Sequence, residues 1–333
     1  MIQLANIIKA AKSIVLSTHR HCDGDGLGAE MALFFALRKI GKKVQVINLD
    51  ATPRKYRFLQ PDHWIQYFDE NPTIPNDVDL TLIFDTNDER LVEPLFSACT
   101  QQGAKVVFID HHPILEQGPK PSAESVIDTL AASTGEMAFQ LIQQLGIPLD
   151  RDIARCLYTS ITFDTQLYRF IRNSPNSHLI AAELLRYDID PEEVHRHLFG
   201  NQTVQKMAFL AKALGQIEYF GEGRVAVLKI RDADLAYYGL ETDESRDLID
   251  MIMTIETLEA GVIFREDLHD RRVYKVSLRS KGQLPVLGLA ESLGGGGHMF
   301  AAGANYRGDF DELRDKVVQN LVGALPKPRL TGS

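Results

Sequence analysis

Short apolar runs that break off in acids mark the first half of the chain. Ser13-Ile14-Val15-Leu16-Ser17-Thr18, Leu80-Thr81-Leu82-Ile83-Phe84 and Val106-Val107-Phe108-Ile109 read as strands buried on both faces, and Val44 to Leu49 reads as another. Between them lie helical stripes. Met31, Leu33, Phe34, Leu37 and Ile40 predict a helix from about Ala29 to Lys39, stopped by Gly41, and a second is expected from about Leu91 to Gln102. Ser133 with Glu136 three residues on is a capping box opening a helix that ends at Gly146. A further helix from about Arg151 delivers Asp164-Thr165, and Ser174-Pro175 starts one that runs through Tyr187. Strands alternating with helices at this spacing predict an α/β fold built on a doubly wound, mostly parallel sheet.

Around Tyr187 to Gly200 the alternation stops, and Asp188, Asp190 and Pro191 open a short polar helix. The expected division is a catalytic domain over 1–187, a linker over 188–202, a smaller α/β substrate-binding domain over 203–327, and a tail over 328–333. The second domain should hold a helix from Thr203 to Leu214, a strand from Arg224 to Ile230, a long helix near Ser245 to Leu258, and strands at Gly261 to Arg265 and Val273 to Leu278. A cleft between the domains is the expected place for substrate.

A length of 333 residues suits two cores, and 44% hydrophobic with 24% charged residues is ordinary for a soluble globular protein. With 36 basic and 45 acidic residues the net charge is −9, so the chain lacks the basic surface that duplex-DNA binders carry. Three cysteines, Cys22, Cys99 and Cys156, do not make a disulfide framework. Met1 to Ala11 has no signal-peptide pattern, and no apolar run approaches the roughly 18 residues of a membrane span. A cytoplasmic protein is expected.

The strand ends carry the chemistry. In an open α/β sheet, ligands bind at the carboxyl ends of strands. There the chain places His19, Asp23 and Asp25; then Asp85; then Asp110, His111 and His112; and Asp164 ends a helix. One acid after a strand is most often a cap or a turn residue, but four such ends in one sheet are hard to explain as caps. Mixed imidazole and carboxylate donors suit Mn²⁺ better than Mg²⁺, and their number suits two divalent ions. Gly24 and Gly26 are expected to let the first loop turn tightly.

These residues resemble the DHH phosphoesterase superfamily over nearly the whole chain. His-x-x-x-Asp-x-Asp-x-x-Gly stands at His19 to Gly28, the lone aspartate at Asp85, Asp-His-His at Asp110 to His112, and Asp-Thr at Asp164-Thr165. Gly294-Gly295-Gly296-Gly297-His298-Met299-Phe300-Ala301-Ala302-Gly303 looks like the signature of the associated substrate domain. The resemblance implies that His19, Asp23 and Asp85 hold one ion and that Asp25, Asp85, His111 and Asp164 hold the other, with Asp85 as the bridge. It also implies that Asp110 orients a ligating histidine and that His112 faces the substrate phosphate. Cys22 stands where the family usually has proline, and Gln166 where glycine usually follows Asp-Thr.

Other polar residues are expected to be bland. His195 and His197 read as solvated, His21 as exposed or supporting, Asp88 as a local partner of Arg90, and the cysteines as core. In the second domain, Tyr274, Val276 and Leu278 alternate with Lys275, Ser277 and Arg279. The candidate phosphate-binding set is Lys275, Ser277, Arg279, Ser280, Gly295, Gly296, Gly297 and His298.

The expected activity is two-metal hydrolysis of short oligonucleotides or dinucleotides such as pApA to 5′-mononucleotides, and of pAp to AMP. Asp110 and His112 are its catalytic pair. Short single-stranded RNA or DNA is the expected partner, with no duplex and no membrane, and a homodimer is allowed but not required by anything in the sequence. The rival readings are a cyclic dinucleotide phosphodiesterase and a nucleotide-binding sensor without turnover.

Overall fold

The structure, a computed structural model, describes residues 1–59, 63–115, 118–245 and 247–325. It divides into two compact units, the first spanning Met1–Asn201 and the second beginning at Gln202. The expected tail, 328–333, lies outside the described residues.

In the first unit the chain runs α1 (Ile2–Ala10), β1 (Ser13–Thr18), α2 (Gly24–Lys39), β2 (Lys43–Asn48), β3 (Ile65–Tyr67), β4 (Leu80–Phe84), α3 (Leu95–Gln101), β5 (Lys105–Asp110) and β6 (Val126–Ile127). Four helices follow: α4 (Thr134–Leu145), α5 (Arg151–Asp164), α6 (Asn176–Leu184) and α7 (Pro191–Phe199). The sheet has the order β3-β2-β1-β4-β5-β6 and every neighbouring pair is parallel. Alternate residues explain why it is covered on both faces. Ile14, Leu16, Leu82, Phe84, Val107 and Ile109 pack with the buried residues of α1, α2, α4 and α5. Val15, Ile47, Ile83 and Phe108 turn the other way, onto Leu95 and Cys99 of α3. The strand order reverses between β1 and β4, and the crevice at their carboxyl ends is where such sheets bind ligands.

Several expected boundaries move. α2 begins at Gly24 with Asp23 as its cap, so Asp25, Gly26 and Gly28 lie on helix rather than loop. α3 starts at Leu95 because Pro94 occupies its cap, and Glu89–Leu91 forms a separate 3₁₀ turn. The stretch expected as a linker, 188–202, contains α7, whose Val194 and Leu198 are buried in the first unit's core.

The second unit runs α8 (Val204–Leu214), β7 (Glu218–Phe220), β8 (Val225–Arg231), α9 (Asp232–Tyr237), α10 (Asp247–Met253), β9 (Ala260–Glu266), β10 (Val273–Ser280), α11 (Leu287–Ser292), β11 (Gly296–His298), β12 (Ala301–Arg307) and α12 (Phe310–Gly323). Its sheet, ordered β11-β12-β10-β9-β8-β7, is antiparallel except for the pair β8 and β9. Leu313, Val317 and Leu321 of α12 pack on one face with Val276 and Leu278, while Leu248 and Ile252 of α10 pack on the other with Ile263. The long helix expected to Leu258 ends at Met253. Beyond it Thr254, Ile255 and Leu258 each bond three residues back, and the Thr254 hydroxyl takes up the Met251 carbonyl, so the ladder of bonds four residues back is lost. Among the described residues no helix is long and apolar enough to cross a membrane.

Candidate active site

The ends of β1, β4, β5 and α5 bring the expected ligands together. His19 follows β1, Asp85 follows β4, Asp110 closes β5 ahead of His111 and His112, and Asp164 closes α5. Asp85 adopts a left-handed φ of 62°, unusual for a residue other than glycine and held by its N–H donating to the Ile109 carbonyl at 3.0 Å.

Two groups of donors share Asp85. His111 Nε2 stands 3.5 Å from Asp25 Oδ2, 3.6 Å from Asp85 Oδ1 and 3.5 Å from Asp164 Oδ2. It is buried and, among the described residues, has no hydrogen-bond partner. On the other side His19 Nε2 lies 3.6 Å from Asp85 Oδ2, and Asp23 completes a three-donor group with them. Such spacings suit atoms arranged around an ion at about 2.0–2.2 Å better than atoms bonded to each other. The tautomers agree. His111 Nδ1 meets the Ala131 carbonyl at 3.3 Å and His19 Nδ1 meets the Arg20 carbonyl at 2.8 Å. A carbonyl only accepts, so each Nδ1 carries the hydrogen and each Nε2 keeps its lone pair for a metal.

The electrostatics call for a cation. Burial, followed by the charge of Asp164, pushes the Asp25 carboxyl well above the usual carboxylate range. Burial and then Asp25 and Asp23 do the same at Asp85, and burial followed by Asp23 brings Asp164 up to about 6. Burial, helped by His112, holds His111 down at about 4, so at neutral pH it is an uncharged donor. A divalent ion would offset this packed negative charge, which is otherwise costly to bury. The donor set therefore fits divalent metal.

The supports of these ligands lie far away in sequence. The carboxylate of Asp25 accepts the N–H groups of Thr134 at 2.7 Å and Gly135 at 3.1 Å, at the start of α4, and the Ser160 hydroxyl of α5. The Thr134 hydroxyl also donates to Asp85 Oδ1 at 3.1 Å, so one residue holds acids from both donor groups. The motif glycines serve this packing, because neither Gly26 nor Gly28 has a positive φ. A Cβ on Gly26 would fall 2.1 Å from Thr18 Oγ1, and one on Gly28 would fall 2.6 Å from the Cys156 carbonyl and 2.8 Å from Ser160 Cβ. Glycine is needed there for close approach, not for a tight path.

Behind β1 lies a second buried polar group. Glu30 of α2 is fully buried, and Asn48 Nδ2 donates to its Oε1 at 2.6 Å. Asn48 Oδ1 in turn accepts the Thr18 N–H at 3.3 Å, immediately before His19. Among the described residues Oε2 of Glu30 has no partner, and burial pushes its carboxyl up to about 8.

Asp110 does not orient His111, which the Ala131 carbonyl holds instead. Asp110 Oδ1 accepts from His112 Nδ1 at 2.8 Å and Oδ2 accepts from Asn87 Nδ2 at 2.6 Å. The bond to Asp110 raises the affinity of His112 for its proton. Its side chain is 55% exposed, and its Nδ1 also lies 3.6 Å from Asp85 Oδ1, so it stands between solvent and the buried carboxylates and forms a further donor group with Asp85 and His111. Asp110, itself held by Asn87, thus fixes His112 as an exposed hydrogen-bond donor that keeps its proton more tightly than a free imidazole.

Thr134, Ser160 and Asn87 were not picked out from sequence. The capping box at Ser133 was the available signal, since it marks a helix start whose free N–H groups seek an anion. Of the residues set aside, His197 is partly solvent-exposed as expected, with 42% of its side chain accessible, and His195 is half-buried, but each has a partner. His195 Nε2 pairs with Tyr158 Oη at 3.2 Å, and the His197 ring stacks on Phe58 at 4.5 Å. His21 is exposed and paired with Asp50, Asp88 pairs with Arg90, and all three cysteines are buried. Gln166 takes the left-handed conformation that a glycine there would adopt freely, with φ 47°.

In the second unit, a cavity of about 620 Å³ is lined by Lys275, Ser277 and Arg279 of β10 and by Gly294 to Gly297, with Arg265 and Asp250 beside them. Tyr274, Val276 and Leu278 face the core as their alternation requires. Ser280 and His298 do not line this cavity; the Ser280 hydroxyl is buried and His298 is exposed on β11.

Residues 13–161 match the model of the DHH family, N-terminal domain, and residues 222–323 match that of the DHHA1 domain. Over 327 residues, 97% of the chain and 94% of the relative, it is 30% identical to the bifunctional oligoribonuclease and PAP phosphatase NrnA of Thermus thermophilus. A probable protein of the same name from Streptococcus mutans is 26% identical over 90% of the chain and 91% of its own length. An exopolyphosphatase-related protein from Bacteroides fragilis shares the fold, with a TM-score of 0.85, 23% identity and coverage of 96% and 94%. With side chains that could hold a metal ion at each motif of this family, the chain belongs to the DHH family and is a metal-dependent phosphoesterase.

Proposed function

We propose that this phosphoesterase hydrolyses very short oligonucleotides, releasing 5′-mononucleotides from substrates such as pApA and converting pAp to AMP. The observation that carries the reading is the lone, buried Nε2 of His111 among three carboxylates, in a chain related along nearly its whole length to proteins named oligoribonuclease and PAP phosphatase. His19, Asp23 and Asp85 would hold one ion, and Asp25, Asp85, His111 and Asp164 the other, with Asp85 offering Oδ2 to the first and Oδ1 to the second. Bound divalent ions supply Lewis acidity at the phosphate and a water of lowered pKa.

The chain supplies the rest. Water adds to phosphorus in line, the P–O bond to the leaving ribose oxygen breaks, His112 donates a proton to that oxygen, and the proton released by the attacking water restores His112. Asp110 orients His112 for this step and strengthens its hold on the proton. Lys275, Ser277, Arg279 and the glycine-rich turn are assigned to a substrate phosphate; Ser280 and His298 are left out of that set. Two imidazole ligands favour Mn²⁺ over Mg²⁺. The acidic charge and the small basic cavity disfavour duplexes, and a cytoplasmic location fits such a substrate.

The test is a substrate profile of the purified enzyme. Turnover should be highest on 5′-phosphorylated dinucleotides, low on long or duplex nucleic acid, absent in chelator, and restored better by Mn²⁺ than by Mg²⁺. Best activity on long chains overturns the substrate class, and equal rescue by Mg²⁺ overturns the metal preference.

A further inference from the structure

The turn after Asp164 is strained and presents side chains that the site described above does not use. It folds back on the end of α5, with Leu167 N–H donating to the Thr162 carbonyl, Tyr168 N–H to Thr165 Oγ1 and Phe170 N–H to the Thr165 carbonyl. Gln166, Leu167, Tyr168, Arg172 and Asn173 are all left-handed, with φ between 47° and 65°. Such backbone is unfavourable for L-residues and persists where the surroundings fix it, often beside a functional site.

The turn holds out an arginine–aromatic pair and a second arginine. Phe170 is 50% exposed, and the Arg169 guanidinium carbon lies 4.9 Å from its ring centroid. Arg172 Nη1 donates to the Thr129 carbonyl at 3.3 Å, joining this turn to the loop that bears Leu130, which is 80% exposed. The next residue, Ala131, holds His111 through its carbonyl, and the charge of Arg172 reaches both His111 and Asp164. Both arginines are exposed, and among the described residues neither is paired with a carboxylate, although the chain carries a net charge of −9. An exposed ring, an apolar neighbour and two available guanidinium groups match the base and phosphate of a nucleotide.

We propose that Leu130, Arg169, Phe170 and Arg172 form a nucleotide-binding rim on the first unit. Arg172 takes the phosphate next to the one being cut, and Phe170, backed by Arg169, stacks a base. The inference rests on the substrate class proposed above and adds the residues that grip the neighbouring nucleotide.

Steady-state kinetics of the Mn²⁺-loaded full-length enzyme on pApA test it. Arg172→Ala and Phe170→Ala should each raise KM about tenfold, the loss of one stacked base or one guanidinium–phosphate contact, with kcat within about twofold. Phe170→Tyr should restore the parental KM. Metal content by elemental analysis should equal that of the parent in every variant, which separates binding from support of Asp164. As a control, Lys39→Ala removes an exposed cation paired with Asp150 and should change nothing. Parental KM in both alanine variants overturns the rim, as does a loss of metal or of kcat with KM unmoved. A parent enzyme inert on pApA overturns instead the substrate class, and the rim with it.

Discussion

Replacing Glu30 with glutamine should make the first unit more stable in mildly alkaline buffer and leave it nearly unchanged in acid. The carboxyl of Glu30 is sealed in the core with Asn48 as its one hydrogen-bond partner, and burial lifts it from 4.5 to about 8. The folded chain therefore keeps this proton over a range in which the unfolded chain has released it. The sign follows: the contribution of Glu30 is fully present below about pH 4.5 and is lost progressively as the pH rises to about 8. That interval corresponds to about 3–5 kcal/mol for a group with no access to solvent. Glutamine keeps an oxygen for Asn48 and cannot ionise, so Glu30→Gln should escape the loss. Trp64, the single tryptophan, reports on this unit, since its ring lies 5.6 Å from that of Phe34, one helical turn beyond Glu30. Urea unfolding of the metal-free protein, followed by its fluorescence at pH 5, 6.5 and 8, should show a gap between variant and parent that widens with pH. A constant gap, or one that narrows, refutes a buried neutral Glu30.

Two further substitutions probe the metal ligands. Thr134→Val removes the hydroxyl on Asp85 while keeping the N–H on Asp25, and metal affinity by titration should fall about 10- to 100-fold; parental affinity would show that Asp85 needs no such support. Asp85→Ala should lose both ions together by elemental analysis, because each carboxylate oxygen faces a different donor group, and retention of one ion would show that the two sites are independent.

The candidate ligands were legible in sequence because each sits at the end of a local pattern. A run such as Leu80 to Phe84 announces a buried strand, and Asp85 is simply what comes next. Their supports were not legible, because they depend on where tertiary packing puts a distant helix. Thr134 is 109 residues from Asp25 and Ser160 is 135, and the capping box at Ser133 marks a helix start without saying which acid it meets. Gly24 and Gly26 were noticed but explained wrongly, since sequence shows that a side chain is missing and not which atom needs the space. The same limit hid the ring partner of His197 and the Tyr158 partner of His195. In the second unit, α12 carries an i, i+4, i+8 apolar stripe that periodicity alone would have found, whereas the early end of α10 turns on one threonine hydroxyl.

The place of Asp164 at the last residue of α5 has a consequence for how the protein is made. Asp25 and the Ser160 that steadies it are 135 residues apart, and synthesis runs from the amino end. While the ribosome is still producing α4 and α5, the emerging chain offers His19, Asp23 and Asp25 only as a loose, solvated chelator with no fixed preference among ions. The donor set is complete only when α5 docks on α2, so a site that needs every one of these donors exists only in a chain folded through α5.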